Sequence, residues 1–357
     1  MYPFSFDPSS KLPVTGIYNI LLFNLFPLAT YLVETFCFFR RWKIACTLLC
    51  SITVILAYRM CAVYHHVGYK DVSTFGLAYG FLIMMSLRTC FLSWRDMVPS
   101  RNDPVQISAV KRRRPFIRNA RWNFVDYALS LRKYGWTDDV VPPYCRKVLT
   151  YKSLGIRTAV YVGAFCFVNC FKTRLSNWML LPISANPWYI QVAFCVTSGF
   201  FSYLFINALY YLFAIIFVPL GIWDIAEYPL MMGNVSKTTS VNDFWSRDWH
   251  VCTKPYFRVI AWDPTIALTG SKFLASCSCF FLSALFHDFA YWSISGRCSP
   301  AFFFQLLIQP FLINLEKRIP LLRKYHYWVL IIEMLINGTY GMGVVLLKFK
   351  WKTCSQI

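Results

Sequence analysis

Charged residues are scarce in this sequence. Asp, Glu, Lys and Arg together make up 15% of its 357 residues, whereas a typical soluble domain has about 25%. Hydrophobic residues account for 57% and aromatic residues for 19%, and a water-soluble fold of this length could not cover so much apolar surface. The composition therefore excludes an ordinary soluble domain and predicts one polytopic membrane domain over residues 1–357.

Sequence signals of several other protein classes are also absent. The 14 Cys are scattered and lie largely inside apolar runs, without zinc-finger spacing, so we expect reduced thiols and neither a disulfide framework nor a metal site. There are no heptads, internal repeats or low-complexity tracts. The first ten residues carry no basic segment, so we expect no cleaved signal peptide and a first apolar run that stays as an anchor.

Acidic residues are especially few. The chain has 16 Asp and Glu against 36 Lys and Arg, which gives a net charge of +20. In a soluble protein this charge would indicate nucleic acid, but here most basic residues lie between apolar runs. We therefore expect positive-inside topology, contact with anionic lipid headgroups and no nucleic acid. Part of the charge can also attract a polyanionic cytosolic substrate.

Long apolar runs are what the sequence has in abundance. No residue from Leu12 to Val33 is charged, and such a run can cross about 30 Å of hydrocarbon as a helix. The block between Arg174 and Asp224 is also uncharged but too long for one straight span, so we expect a re-entrant piece and one or two spans there. Together these runs predict an all-α protein with about eight or nine membrane segments. The other runs are 44–64, 72–94, 153–171, 272–295, 298–315 and 325–349.

A basic and aromatic loop, 95–152, follows the third apolar run. Its Lys111–Arg114 cluster favours the cytosolic side. The aromatic residues among its charges indicate a loop on the membrane surface, with an amphipathic helix at about 117–133. Arg88, near the end of the preceding run, is expected to extend its long side chain toward the headgroups.

The first chemical candidate is His287, in the Phe286-His287-Asp288 triplet within the apolar run 272–295. Histidine suits proton transfer near neutral pH, and a titratable group inside a membrane run is a functional candidate. On a helix, Ser283 and Tyr291 would share its face and could orient the imidazole, whereas Asp288 would point elsewhere. The alternative is a structural histidine that is hydrogen-bonded between helices.

The second candidate is the segment Asn242–His250, which we call the DFW element. Arg247 could meet phosphate groups, while Trp245 and Trp249 could stack on an adenine or line a tunnel. The alternative is an amphipathic interfacial helix with its Trp residues at headgroup depth. The element also contains Asp243 and His250.

Taken together, the DFW element and the membrane histidine about 37 residues later resemble the membrane-bound O-acyltransferase superfamily. The likeness is closest to its wax synthase-like branch, in the type that acetylates fungal natural products. It covers 224–295, including Glu227–Gly233 and Ser240. The sequence departs from the branch pattern at three positions: Ser246 replaces a glycine, Asp248 an arginine and His250 an asparagine found in other members.

The resemblance implies an acyl-coenzyme A-dependent O-acyltransferase of the endoplasmic reticulum with several membrane spans. His287 would be the catalytic base, and Asp243, Trp245, Arg247, Trp249, His250 and Tyr291 would be candidates for binding coenzyme A or the acceptor. Acyl-coenzyme A, with acetyl-coenzyme A favoured, would be a co-substrate rather than a bound cofactor. The acceptor would be a lipophilic alcohol such as a terpenoid.

Other functions remain open at this point. A long-chain alcohol wax-ester synthase would use the same chemistry on other substrates. A small-molecule transporter and a non-catalytic sterol- or lipid-binding relative belong to different functional classes. The transporter would call for paired charges or broken helices in corresponding halves of the chain, which the sequence does not display.

Overall fold

The protein is helical, as its sequence predicts. The computed structural model describes residues 12–14, 17–66, 72–99, 123–129, 136, 149–178, 186–220, 225, 228, 230–233, 237–249, 253–295 and 300–337. Within them the only strands are Leu12–Val14 (β1) and Tyr64–His66 (β2), which form a short parallel pair. The predicted all-α fold class is therefore confirmed, with this pair as a minor addition.

The longer of the described helices coincide with the apolar runs. The long ones are Ile17–Phe39 (α1), Lys43–Val63 (α2), Val72–Trp94 (α3), then, after the short Asn123–Leu129 (α4), Tyr151–Trp178 (α5) and Trp188–Phe217 (α6). Next come Val241–Asp243 (α7), Lys254–Phe257 (α8), Asp263–Thr269 (α9), Lys272–Ser295 (α10), Pro300–Arg318 (α11), Pro320–Lys324 (α12) and His326–Asn337 (α13).

Four of the described helices contain segments long and apolar enough to cross a membrane. They are Lys43–Ala62, Tyr151–Lys172, Trp188–Phe217 and Lys272–Ser293, and Leu25–Phe39 is a shorter apolar segment of α1. The segment in α5 has only 11% of its residues buried, which suits a helix surrounded by lipid. These helices indicate a membrane-embedded protein, while the total of eight or nine segments stays a prediction.

The uncharged block between Arg174 and Asp224 contains one long helix. Helix α6 begins directly after Pro187 and ends before Pro219, since proline lacks the backbone N–H and restricts the residue that precedes it, which disfavours continuing a helix through it. Among the residues described there, the block contains one helix long and apolar enough to cross a membrane, which agrees with the smaller of the two numbers of spans expected.

The chain forms two compact units. The first comprises Met1–Val140 and Cys252–Ser299, and the second comprises Val141–Val251 and Pro300–Ile357. The first unit contains α1 to α4 and α8 to α10, with α2 packed between α1 and α3, and α3 packed against α10. The second contains α5 to α7 and α11 to α13, with the α5–α6 pair as its largest contact.

Arg88 contradicts the expectation that it reaches toward the headgroups. Its side chain is 1% exposed, donates a hydrogen bond to the Tyr127 hydroxyl, and lies over the Tyr127 and Tyr256 rings. Burial raises the pKa of that hydroxyl, so it stays neutral. The prediction was wrong because α4 and α8 fold over this end of α3, which the local pattern of apolar residues does not reveal.

The loop 95–152 is described only at 95–99, 123–129, 136 and 149–152. Helix α4 lies within the predicted amphipathic segment, but Tyr127 and Trp136 are buried in a core cluster with Phe38. The Tyr127 and Trp136 rings meet edge to face at 5.0 Å. This part of the loop thus packs on protein, and its position at the membrane surface stays a prediction. The Lys111–Arg114 cluster lies outside the described residues.

Candidate active site

His287 lies on a continuous helix. Helix α10 runs from Lys272 to Ser295 without a break, so Ser283 and Tyr291, four residues to either side, share a face with His287. All three side chains are partly buried. Asp288, as the next residue, projects from a different face. The helical arrangement expected from the sequence is therefore present.

The face of α10 that carries His287 lies apart from the face packed in the core and from the most exposed apolar face. One face packs in the core of the first unit and includes Phe286 and Phe289. A second presents Phe281 and Leu285, which are 47% and 45% exposed. At about 100° per residue, His287 is turned about 100° from Phe286 and about 160° from Leu285. His287, which is partly buried, thus projects between the core face and the most exposed apolar face.

The rotation of α10 is fixed by a close approach to α3. A Cβ added at Gly80 would lie 2.8 Å from Cε2 of Phe286 and 3.6 Å from Cδ1 of Phe289. On the same side, the Phe81 and Phe286 rings meet edge to face at 5.2 Å. The Phe286 ring in turn lies 5.3 Å from the imidazole of His287. Glycine at position 80 therefore allows the packing that positions the histidine.

The DFW element begins as a single helical turn with two caps. Ser240 precedes α7, and its hydroxyl accepts a hydrogen bond from the backbone N–H of Asp243 at 2.9 Å. The carboxylate of Glu316, from α11, accepts from the N–H groups of Val241 and Asn242 at 2.9 and 3.3 Å. A negative charge at a helix N-terminus is stabilising, so Glu316 holds the element against α11.

The aromatic residues of the element are engaged within the second unit. The indole N–H of Trp245 donates to Oε1 of Gln309 at 2.8 Å. Trp249 stacks on Phe244 with ring centroids 5.2 Å apart and on Tyr203 with centroids 6.3 Å apart. Of the two roles expected for these Trp residues, the contacts favour a packed wall over a free surface for adenine.

Arg247 lies among carboxylates. Its guanidinium contacts Asp248 at 3.2 Å and Asp243 at 3.8 Å. Asp248 is 1% exposed and also accepts a hydrogen bond from the Thr238 hydroxyl at 2.8 Å. Two carboxylates beside one guanidinium give the Arg247 cluster a net negative charge, which weakens its attraction for phosphate. The replacement of an arginine of the branch pattern by Asp248 implies the same.

The structure brings the predicted residues together in two sets. Asp243, Trp245, Arg247 and Trp249 lie within two turns of the second unit, and His287 and Tyr291 share a face in the first. His250 lies outside the described residues. No group of three metal-binding side chains occurs within the part of the chain that the structure describes.

Sequence reasoning missed the residues that support these sets, above all Gln309, Glu316 and Gly80. The first two left a signal, because Gln305, Gln309 and Glu316 recur at spacings of four and seven residues and so share a helix face. Gly80 left none, because its importance depends on contact with Phe286, a residue distant in the sequence.

The comparisons with known proteins agree with the resemblance at the level of the family. A family model described as the membrane bound O-acyl transferase family matches residues 228–305, a range that contains the DFW element and His287. No solved structure matches the chain at a significant level. The family match supports a membrane-bound O-acyltransferase and, in general terms, membrane O-acyltransferase activity.

Proposed function

We propose that this protein transfers a short acyl group, acetyl, from acyl-coenzyme A to the hydroxyl of a lipophilic small molecule such as a terpenoid. It would do so in the membrane of the endoplasmic reticulum. The single observation that carries the proposal is the position of His287, on a partly buried face of a membrane helix inside the matched range 228–305. A face between the core and the most exposed side suits a residue that must meet substrates from lipid.

In the proposed reaction, His287 is the general base. Its neutral imidazole takes the proton from the acceptor hydroxyl as that oxygen attacks the thioester carbonyl. The carbon–sulfur bond then breaks, and the coenzyme A thiolate receives the proton from the imidazolium. The acceptor oxygen is itself the nucleophile, so no acyl-enzyme forms. The apolar surroundings limit hydrolysis of the thioester by excluding water.

Other candidate residues have supporting roles in this proposal. Ser283 and Tyr291 share the face of His287 and can orient the imidazole or the acceptor hydroxyl. The DFW element serves the coenzyme A end through Asp243, Trp245, Arg247, Trp249 and His250, as the resemblance implies. Because the contacts of Arg247 are with Asp248 and Asp243, we assign the tryptophans a wall role and Arg247 a minor one in holding phosphate.

The test is an assay on microsomes that contain the protein. Radiolabelled acetyl- and palmitoyl-coenzyme A are each offered with terpenoid alcohols and with long-chain fatty alcohols, and esters are separated by chromatography. The proposal expects acetyl esters of a terpenoid alcohol. Palmitoyl esters of fatty alcohols would instead identify a wax-ester synthase, and no ester from any pair would contradict acyl transfer.

Two non-enzymatic functions are separated by matched measurements. A transporter would move the alcohol across vesicles without acyl-coenzyme A, whereas the proposed enzyme would not. A lipid-binding relative would bind the alcohol but form no ester when purified. Microsomes from cells with an empty vector control for acyltransferases of the host.

A further inference from the structure

Arg88 is a fully buried cation that the proposed reaction does not use. Its guanidinium carbon lies 5.5 Å from the ring centroid of Tyr127 and 5.8 Å from that of Tyr256. It also donates a hydrogen bond to the Tyr127 hydroxyl. A buried charge is costly unless it is paired, and arginine is suited to such a site because its plane can stack on aromatic rings while its N–H groups donate.

The two tyrosines bring different parts of the first unit to this arginine. Tyr127 belongs to α4, the described helix of the basic loop, and Tyr256 belongs to α8, which closely follows the DFW element in the sequence. Both rings are buried, at 0% and 1% exposure. Arg88 therefore joins α3, α4 and α8 at one point.

A continuous set of ring contacts leads from this point to the catalytic helix. The ring of Tyr256 meets that of Phe81 edge to face at 6.4 Å, and Phe81 meets Phe286 at 5.2 Å. Phe286 is the neighbour of His287 on α10. Phe81 and Arg88 are seven residues apart on α3, which places them on one face about 10 Å apart along the helix.

We propose that Arg88 is a positioning residue for acyl transfer, because its stack with Tyr127 and Tyr256 holds Phe81 and Phe286 and so sets the rotation of α10 at His287. This proposal rests on the proposed function of His287. It gives the loop helix α4 a route to the active site that does not require contact with substrate. Loss of the stack would leave coenzyme A binding intact and misalign the base.

The kinetic test uses pairs of substitutions at the stack. Arg88→Lys keeps the charge but loses the planar stacking, and Tyr256→Leu removes the ring; each should lower kcat about tenfold with little change in KM for acyl-coenzyme A. Tyr256→Phe retains the ring face and should keep nearly full activity. Arg40→Lys is the matched control, because Arg40 is exposed and lies 5.3 Å over the Phe36 ring, which is not one of the rings that lead from Arg88 to Phe286.

A second measurement does not depend on activity. Diethyl pyrocarbonate modifies accessible histidine rings, and mass spectrometry gives its rate at His287 separately from the other histidines. The rate should change several-fold in Arg88→Met and Tyr256→Leu and stay unchanged in Arg40→Lys. Equal rates in all variants, or a full loss of activity in Tyr256→Phe, would overturn the inference. A wild-type protein that forms no ester would count against the proposed function alone, and the labelling rates would still decide the role of Arg88.

Discussion

Substituting Gly80 by alanine tests how closely α3 and α10 must approach. The added Cβ would lie 2.8 Å from Cε2 and 3.1 Å from Cδ2 of Phe286, whereas ordinary contacts begin at 3.4 Å. The Phe286 ring would therefore have to move by 3.4 − 2.8 = 0.6 Å. Phe81 lies against the same ring and limits its escape. Overpacking of this kind costs about 1–3 kcal/mol.

The same displacement should reach the proposed chemistry. Phe286 directly precedes His287, and a misplacement of about 1 Å can cost about 100-fold in rate. A shift of about half that size predicts a loss of about tenfold in kcat, again by the same scaling. The rate of ester formation is measured with purified Gly80→Ala protein, and its thermal unfolding is followed in detergent.

A matched control separates the steric clash from the change in helix propensity. Gly155 lies in the membrane helix α5, and a Cβ added there meets nothing within 4 Å. Alanine is favoured over glycine in a helix by about 1 kcal/mol, so Gly155→Ala should be neutral or stabilising. In addition, Phe286→Leu should recover part of the stability lost in Gly80→Ala. Wild-type rate and stability in Gly80→Ala would refute the packing argument.

The remaining predictions concern the DFW element. Gly233→Ala should reduce the yield of monodisperse protein in size-exclusion chromatography, because its Cβ would overlap Asp248 and lie 2.7 Å from the Asp248 backbone; a normal yield would contradict this. Glu316→Gln should lower stability by about 1 kcal/mol, since it removes the charge at the start of α7, and an unchanged Tm would argue against the cap. Trp245→Phe should cost a similar amount, about 1 kcal/mol, through its lost bond to Gln309. The double variant with Gln309→Leu should then be no less stable than Trp245→Phe alone.

The positions of the helices could be predicted from the sequence. The apolar runs 72–94 and 272–295 have the same bounds as α3 and α10. A helix in lipid satisfies its own backbone groups and is apolar over most of its length, so composition marks such a segment. The helical face shared by Ser283, His287 and Tyr291 follows from local periodicity in the same way.

The partners of these helices could not be predicted. Local periodicity shows that Phe286 and Arg88 lie on particular faces, but it does not tell which residues cover those faces. Gly80 meets Phe286 across more than 200 positions of sequence, and Arg88 meets Tyr256 across more than 160. The bond from Trp245 to Gln309 likewise depends on tertiary packing. The position of Arg88 near the end of an apolar run therefore predicted a side chain that extends toward the headgroups, whereas the fold buries it.

The most direct test of the account is the rate of ester formation by purified His287→Gln protein, with His326→Gln as the control. Glutamine keeps hydrogen-bonding capacity without a titratable ring, and His326 is a buried histidine of the second unit whose Nδ1 lies 2.8 Å from the Arg323 carbonyl oxygen. Removing the base should slow the reaction by about 100- to 10,000-fold at normal protein yield, while His326→Gln retains activity. Full activity in His287→Gln would contradict the assignment of this histidine as the catalytic base.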